Sequence, residues 1–433
     1  MYDLIVIGAG PAGYEAALRA RELNKTVLLV EKDKVGGTCL NYGCVPTKSL
    51  LFQTNKLLEI SDLKRYGILV ENVAYDYNKF LSNKENTVNR LVKGVSFLLK
   101  NSGVDLIYGI ATLESSNSIR VDDKVYEGKN ILIATGATNS KLPIEGFNKA
   151  LSSRKFLEKD LSNIKEVVII GGGVIGVELA TLLYHLKIKT TIVEAQEDIL
   201  LGIDKDAVAF LKKDLKKNKV NIITNAKVNR IEENKVTYDE KEIGCDMVIV
   251  SVGRKPNISS LDINNLLIQE NSFIKVDSNF KTNLNNVYAV GDCVKGLQLA
   301  HYASACAINV VNKMFDEIPK YNLINVPRCV YCDKEISTVG SEEVSDDIVI
   351  KYDIVSNPKA VIENNNRGFY KLVFTSTGIF KGATLVCTKS SDMINIFVEA
   401  LNNNLSIIDM QKDIYPHPSF VEGIKEVLSK YNK

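Results

Sequence analysis

Two stretches of this chain repeat one pattern: a short β-branched strand, a glycine-rich turn, a helix, and a second strand that ends in an acid. In the first, YDLIVI runs from Tyr2 into Gly8-Ala9-Gly10-Pro11-Ala12-Gly13, YEAALRARELN follows with Ala16, Ala17, Ala20 and Leu23 at helical spacing, and TVLLV ends in Glu31. In the second, EVVII leads into Gly171-Gly172-Gly173-Val174-Ile175-Gly176, then VELATLLYHLK, then TTIV ending in Glu194. The glycines have distinct tasks. Gly8 permits the tight turn, Gly10 lets the backbone approach a pyrophosphate, and Gly13 allows the helix to pack closely on the strand. Gly171, Gly173 and Gly176 repeat the set. One such turn is a weak signal, but two with strand, helix and terminal acid constrain the chain to an α/β fold with two Rossmann-like dinucleotide-binding domains.

Each helix N-terminus offers free N–H groups to phosphates, and Glu31 and Glu194 stand where a carboxylate accepts hydrogen bonds from ribose hydroxyls. Two such sites in one chain imply two dinucleotides, and the chemistry that pairs them is electron transfer between a flavin and a nicotinamide. The expected cofactors are FAD and NAD. At the second site Glu194 binds a free 2′-hydroxyl but repels a 2′-phosphate, and Ala195-Gln196-Glu197-Asp198 brings no arginine to receive one. NAD is therefore expected over NADP.

The length of 433 residues suggests roughly three domains. With 54 basic against 52 acidic side chains, nothing favours a nucleic acid or an anionic membrane surface as partner. VVIIGGGVIGVELATLLY, residues 167 to 184, approaches the length of a membrane span. Its glycines divide it into strand and helix, and Glu178 would be costly in lipid, so no membrane partner is expected. The first strand starts at residue 2 and leaves no room for a signal peptide. Eight dispersed cysteines, such as Cys245 and Cys306 in apolar surroundings, do not make a secreted disulfide framework, and a reducing, cytoplasmic location is expected.

Cys39 and Cys44 lie five positions apart in GGTCLNYGCVPTK, residues 36 to 48. No second Cys/His pair of suitable spacing accompanies them to complete a zinc site. A passive staple is disfavoured in a reducing compartment, which leaves a redox-active pair as the favoured reading. The segment resembles the redox-active disulfide signature of the pyridine nucleotide-disulfide oxidoreductases, and the resemblance runs along essentially the whole chain. Its further marks are ILIATGA at 131 to 137, SVGRKPN at 251 to 257, NVYAVGD at 286 to 292 and HPSFVE at 417 to 422.

The resemblance implies a Cys39–Cys44 disulfide in which Cys39 exchanges with the substrate thiol and Cys44 lies against the flavin. It implies that Lys48, one helical turn past Cys44, pairs with Glu178 near the flavin, and that Asp292 holds the ribityl chain. The paired lysine has its own rationale, since an ammonium beside the isoalloxazine favours the reduced, anionic flavin and needs a partner acid when buried. The matched motifs add Gly37, Thr38, Thr135, Gly136, Gly253, Gly291 and Ala300 to the expected cofactor-binding residues, beside Pro11, Ala12 and Ile175 of the glycine turns.

Dithiol oxidation needs a base, and the chain has three histidines. His185, late in the second helix, is expected to pack, and His301 to pack or hydrogen-bond on the flavin side. His417, with Glu422 five residues on, resembles the family's active-site histidine and its orienting glutamate. That histidine serves the disulfide of the other subunit, which implies a homodimer. Cys329-Val330-Tyr331-Cys332 is a C-x-x-C within a β-like run, RCVYCDKEISTVG, where positions i and i+3 face opposite ways; it is expected to be interface strand. Cys293 is expected to be a packed thiol.

By the same resemblance, residues 1–141 and 258–325 form a discontinuous FAD-binding domain, 142–257 an NAD-binding domain and 326–433 a C-terminal α+β dimerisation domain. The strands RCVYC, GFYKLVF and IFKGATLV and helical signals from Asp392 suit the last. Asn-rich ENNNR at 363 to 367 and NNN at 402 to 404 read as turns or helix ends. Within the family, C-L-N-x-G-C with Thr47-Lys48 and Glu194 is most similar to the NAD-dependent members that oxidise dihydrolipoamide to lipoamide. The expected partners are then lipoamide or a protein-bound lipoyl group, and a 2-oxoacid dehydrogenase or glycine cleavage complex. The alternatives are an NADH-dependent reductase of another disulfide or persulfide, and a mainly structural subunit of such a complex.

Overall fold

The structure is a computed structural model that describes residues 1–262 and 265–431. Residues 263 and 264, within the expected segment 258–325, and residues 432 and 433, at the end of 326–433, lie outside the described residues. In chain order, β1 (Tyr2–Ile7), α1 (Pro11–Glu22) and β2 (Val27–Glu31) make the first fingerprint. They are followed by α2 (Gly37–Tyr42), α3 (Cys44–Asp62), α4 (Tyr77–Asn101) and β3 (Asp105–Tyr108). A meander, β4 (Ala111–Leu113), β5 (Ser118–Val121) and β6 (Lys124–Ile133), precedes the short linking strand β7 (Ala137–Asn139).

The second unit contains β8 (Leu151–Ser152), α5 (Ser153–Phe156), β9 (Glu166–Ile170), α6 (Val174–His185), β10 (Lys189–Val193), α7 (Lys205–Lys217) and β11 (Asn221–Ile223). An antiparallel insert, β12 (Val228–Ile231), β13 (Lys235–Tyr238) and β14 (Lys241–Gly244), leads to β15 (Met247–Val250). The chain leaves by β16 (Arg254–Pro256), which pairs antiparallel with β7, so two linking strands run side by side between the units. After the small hairpin β17 (Gln269–Glu270) and β18 (Phe273–Ile274), β19 (Val287–Ala289) pairs in parallel with β6. The segment after 257 thus returns to the first sheet, and α8 (Ala300–Met314) packs on α1.

Counted among the described residues, the first sheet has seven strands and the second five. In both, the central strand is apolar on both faces because helices or further strands cover each side. Leu4 and Val6 of β1 join one core while Ile5 and Ile7 join the core opposite. Val167 and Ile169 of β9 divide from Val168 and Ile170 in the same way.

The C-terminal unit is an antiparallel sheet built from β20 (Arg328–Val330), β21 (Glu335–Gly340), β22 (Ile348–Asp353), β23 (Phe369–Phe374) and β24 (Phe380–Cys387), with α9 (Pro358–Ile362) between β22 and β23. Its helices are α10 (Ser390–Met393), α11 (Asn395–Asn402), α12 (Ile407–Met410) and α13 (Gly423–Ser429). Phe374, Phe380 and Phe397 form the centre of its core. The Asn-rich patches do end helices: Glu363 follows α9, and Asn364 and Asn404 take positive φ.

The run RCVYCDKEISTVG is not one strand. It is a hairpin in which β20 pairs with β21 around a turn at residues 331 to 334, with Val330 opposite Ile336. The Cys332 thiol donates to the Lys334 carbonyl at 3.0 Å and Asp333 is held by His185, so the chain has partners that reward turning. Cys329 therefore lies in a strand and Cys332 in the turn. Cys293 is a packed thiol within a short 3₁₀ turn, donating to the Val290 carbonyl at 3.2 Å.

Candidate active site

One cleft of about 2270 Å³ runs past both glycine turns, both cysteines of the GGTCLNYGCVPTK segment, Lys48, Glu178 and Asp292. The two turns are near copies. Gly8 and Gly171 have φ of +101° and +106°, where only glycine is unstrained, and Gly10 and Gly173 cap their helices with φ −71° and ψ near 180°. Neither cap is closed by a side chain, so the first N–H groups of α1 and α6 remain available. A Cβ on Gly10 would meet nothing nearer than 3.9 Å, and on Gly173 nothing within 4 Å. That space suits a phosphate approaching the backbone, and the donor set fits a dinucleotide at each turn.

Gly13 and Gly176, both expected to bind cofactor, do not line the cleft. A Cβ on Gly13 would stand 1.7 Å from the Gly8 carbonyl oxygen, and one on Gly176 2.0 Å from that of Gly171. Their part is helix-to-strand packing, which shapes the turn that meets the ligand. The remaining expected cofactor residues, including Gly37, Thr38, Thr135, Gly136, Ile175, Gly253, Gly291 and Ala300, border the cleft.

The two acids are set by their own turns. Ala9 N–H donates to Glu31 Oε2 at 2.7 Å and Asp33 N–H to Oε1 at 2.8 Å. Gly172 N–H donates to Glu194 Oε2 at 2.6 Å and Gln196 N–H to Oε1 at 2.8 Å. Each carboxylate is thus fixed at the end of its strand with lone pairs left for ribose hydroxyls.

Cys39 sits within α2 and Cys44 is the first residue of the 19-residue α3. Both sulfurs are free in this structure and within hydrogen-bonding reach of each other. The pair is asymmetric. Cys39 is pushed up by its hydrogen bond to Cys44 and by burial, and so keeps its proton. Cys44 is lowered to about 7, first by the Cys39 hydrogen bond and then by the Lys48 ammonium, while desolvation and Glu178 oppose. Cys44 opens onto the cleft, so that desolvation is the effect of a recess rather than of a sealed core. Its place at a helix N-terminus also favours the thiolate.

Lys48 follows one turn along α3, on the face of Cys44. Its Nζ donates to Glu178 Oε1 and Oε2 at 2.8 and 2.6 Å, with side-chain exposures of 32% and 4%. Burial pushes the Glu178 carboxyl up, against the pull of Lys48 and of the Tyr331 N–H, which donates to Oε1 at 3.2 Å. The Tyr331 ring lies 4.5 Å from the ammonium.

Sequence reasoning passed over Tyr331, hidden inside the C-x-x-C, and Arg254, although SVGRKPN contains it. Arg254 donates to the Ala137 carbonyl and to Thr38 Oγ1 at 3.3 Å, and its Nε is 3.7 Å from Asp292 Oδ2. It joins the segment beside Cys39 to the aspartate. Burial raises the Asp292 carboxyl and Arg254 opposes the rise. A lone arginine inside a glycine-proline segment was the available signal.

The three histidines separate clearly. His301 Nε2 is 2.9 Å from the Pro327 carbonyl at the cleft edge, the hydrogen-bonding role that was one of its two expectations. His185 is buried but does more than pack, since both ring nitrogens meet polar partners, Thr54 Oγ1 at 2.9 Å and Asp333 Oδ1 at 2.6 Å. His417 does not border the cleft of its own chain. Its side chain is 70% exposed, with Nδ1 2.8 Å from Glu422 Oε2, and Ser419 N–H donates to Glu422 Oε1 at 3.0 Å. Burial would raise the Glu422 carboxyl, but Ser419 and His417 together hold it below its usual range. An oriented imidazole is thereby presented outward, with Nε2 unpartnered among the described residues and open to a second molecule. Tyr415, two residues before His417, packs against the C-terminal core with its hydroxyl unpartnered among the described residues.

A pH effect follows from the Cys44 asymmetry. In FAD-loaded, two-electron-reduced protein, a long-wavelength thiolate-to-flavin absorption should be present above pH 7 and fade as pH falls through about 7, when Cys44 takes up its proton. Lys48→Met should move that midpoint up by about one unit, because an opposite charge is lost. A midpoint unchanged by Lys48→Met would contradict the geometry. Absorbance titration between roughly pH 5 and 9 reads both.

No helix among the described residues is long and apolar enough to cross a membrane, and no group of three or more His, Cys, Asp or Glu among them could hold a metal. Compared with known proteins, residues 2–307 match the family model described as pyridine nucleotide-disulphide oxidoreductase, and residues 326–428 match the dimerisation domain of the same family. The chain is 33% identical to the dihydrolipoyl dehydrogenase of Mycoplasma genitalium, covering 99% of this chain and 98% of that one. It is 35% identical to the dihydrolipoyl dehydrogenase of Staphylococcus aureus, covering 99% and 96%. Among solved structures it is similar to the HOCl-induced flavoprotein disulfide reductase RclA from Escherichia coli, with a TM-score of 0.89 and 28% identity over 99% of each chain.

Proposed function

The chain belongs to the pyridine nucleotide-disulphide oxidoreductase family, and within that flavin-dependent family we propose that it oxidises dihydrolipoamide to lipoamide with NAD as the electron acceptor. The observation that carries the chemistry is the unequal Cys39–Cys44 pair, set in a cleft shared by both dinucleotide turns. The full-length likeness to two dihydrolipoyl dehydrogenases supports the substrate.

In the proposed cycle His417 of the partner subunit takes a proton from one substrate thiol. The resulting thiolate attacks Cys39 Sγ, the Cys39–Cys44 bond breaks, and Cys44 leaves as thiolate. A low-pKa leaving group departs faster, so the lowering of Cys44 to about 7 directs attack to Cys39. The second substrate thiol loses its proton and attacks the substrate sulfur of the mixed disulfide. The cyclic disulfide is released, and Cys39 takes up a proton that it then shares with Cys44. Lys48, held by Glu178, stabilises the negative charge on Cys44. Arg254 and Asp292 would position the flavin's polyol chain, and the turns at Gly8–Gly13 and Gly171–Gly176 the two pyrophosphates. FAD, when bound, supplies the relay of an electron pair from dithiol to nicotinamide.

The proposed division of labour puts FAD on residues 1–141 with 258–325, NAD on 142–257, and the subunit contact on 326–433. A 2-oxoacid dehydrogenase or glycine cleavage complex would present the lipoyl group. The similarity to RclA favours a second reading, NADH-dependent reduction of another disulfide or persulfide. Steady-state turnover with dihydrolipoamide, and with lipoamide, glutathione disulfide and Hg(II) in the reducing direction, separates the two. The proposal requires the lipoyl couple to be fastest, and faster turnover of another oxidant by NADH would replace it.

Nucleotide choice is tested in the same assay. Glu194, held at the end of its strand by Gly172 and Gln196, would meet the ribose hydroxyls, and Lys212 is engaged by Asp198 at 2.8 Å. NAD should be preferred over NADP in kcat/KM by roughly a hundredfold, from the ~3 kcal/mol scale of a like-charge juxtaposition. Equal or better use of NADP by the unaltered protein would contradict the reading of Glu194.

A further inference from the structure

Helices α3 and α6 are fastened together at two levels, and only one belongs to the cleft. At the upper level Lys48 of α3 meets Glu178 of α6. Seven residues along from Glu178, close to two helical turns and hence on the same face, stands His185, whose side chain is 2% exposed. Its Nδ1 lies 2.9 Å from Oγ1 of Thr54, a fully buried residue of α3, and its Nε2 lies 2.6 Å from Asp333 Oδ1. An ionised carboxylate only accepts, so Nε2 carries a proton in this arrangement.

Asp333 and Tyr331 belong to the same turn between β20 and β21. The turn therefore touches both levels. Tyr331 gives its N–H to Glu178 and lays its ring against the Lys48 ammonium, while Asp333, two residues on, is pinned by His185. The groups around the lower level are Tyr184 on α6, Cys332, Asp333 and Lys334 in the turn, and Asp214 on α7. Those facing Cys44 are Cys39, Lys48, Glu178 and Arg254. Simple cohesion of α3 and α6 would be served as well by apolar side chains at this depth, because burying an ionisable pair costs solvation. A hydrogen-bonded histidine instead fixes the direction and register of the turn.

We propose that His185 is a positioning residue: by holding Asp333 and Thr54 together it fixes the turn whose Tyr331 sets the Lys48–Glu178 pair beside the redox cysteines. The inference rests on the reading that this ion pair stabilises the Cys44 thiolate. His185 touches no reacting atom. Its effect reaches the cleft through Asp333 and Tyr331.

The test uses FAD-loaded, two-electron-reduced protein and the pH midpoint of the long-wavelength thiolate absorption, with dihydrolipoamide turnover alongside. His185→Ala should raise the midpoint by about half a unit, in the direction of Lys48→Met. Turnover should fall about tenfold, the scale of losing a group that orients a catalytic residue, with KM for NAD unchanged. His185→Gln, whose amide can still donate to Asp333, should recover most of both. Leu211→Ala, a core truncation on α7, controls for lost stability and should move neither. If His185→Ala does not fold, Thr54→Val and Asp333→Ala each remove one arm of the bridge and should give the same sign. A midpoint that responds to Lys48→Met but to none of the His185, Thr54 and Asp333 variants overturns the proposal alone. A midpoint indifferent to Lys48→Met removes the reading beneath it, and the proposal with it.

Discussion

Replacing Cys39 or Cys44 by serine is expected to lower dihydrolipoamide–NAD turnover by roughly four to six orders of magnitude, the range seen when a residue that forms the covalent intermediate is removed. A serine oxygen cannot form the sulfur–sulfur bond that receives the substrate's electron pair, so neither variant has a bypass. The two should still differ from each other. Cys39→Ser leaves Cys44 with Lys48 one turn below, and should show the thiolate absorption without any reductant. Cys44→Ser should lack it in every redox state. NADH oxidation by an artificial one-electron acceptor should survive in both, since that path uses neither sulfur. Full dithiol turnover in either variant, or the absorption retained in Cys44→Ser, would break the assignment.

His417→Gln should reduce turnover by about a hundred- to ten-thousand-fold, the usual range for a lost general base. Glutamine keeps much of the size of the imidazole but cannot take a proton at the Nε2 position. FAD content and the Cys39–Cys44 pair should be untouched, because His417 lies outside the cleft of its own chain. The sharper form mixes His417→Gln with Cys39→Ser chains. If the histidine acts on the partner's pair, a hybrid dimer has one site with both lesions and one with neither, and activity reappears on subunit exchange. Hybrids verified by mass that stay as inactive as their parents would refute action across the interface.

What could be read in advance tracks how local the physics is. The two dinucleotide turns were legible because glycine is demanded by backbone contact within a few residues: Gly13 meets the Gly8 carbonyl and Gly176 that of Gly171. Glu31 and Glu194 were legible because each closes its own turn across 22 residues. The ion pair of Lys48 and Glu178, 130 residues apart, came only from a resemblance, because no local pattern links α3 to α6. His185 was misread as packing for the same reason, its partners being 131 and 148 residues away. The hairpin at residues 328 to 340 read as one strand because Asp333 is held in the turn by a residue 148 positions away, a partner no local pattern reveals. By contrast β22 alternates buried and exposed residues from Ile350 to Asp353, a period-two signal that was present and passed over.

The central claim is that a lipoyl dithiol gives its electrons to the Cys39–Cys44 disulfide, and the half-reaction in which the dithiol reduces the protein tests it without nucleotide turnover. Oxidised, FAD-loaded protein is mixed anaerobically with one equivalent of dihydrolipoamide per subunit, quenched with an alkylating agent and mapped by mass. The account predicts one equivalent of lipoamide, the rise of the long-wavelength absorption, and two newly alkylated sulfurs located at Cys39 and Cys44. Lipoamide formed without new thiols at these positions, new thiols elsewhere such as Cys329 or Cys332, or no reaction at all would contradict it.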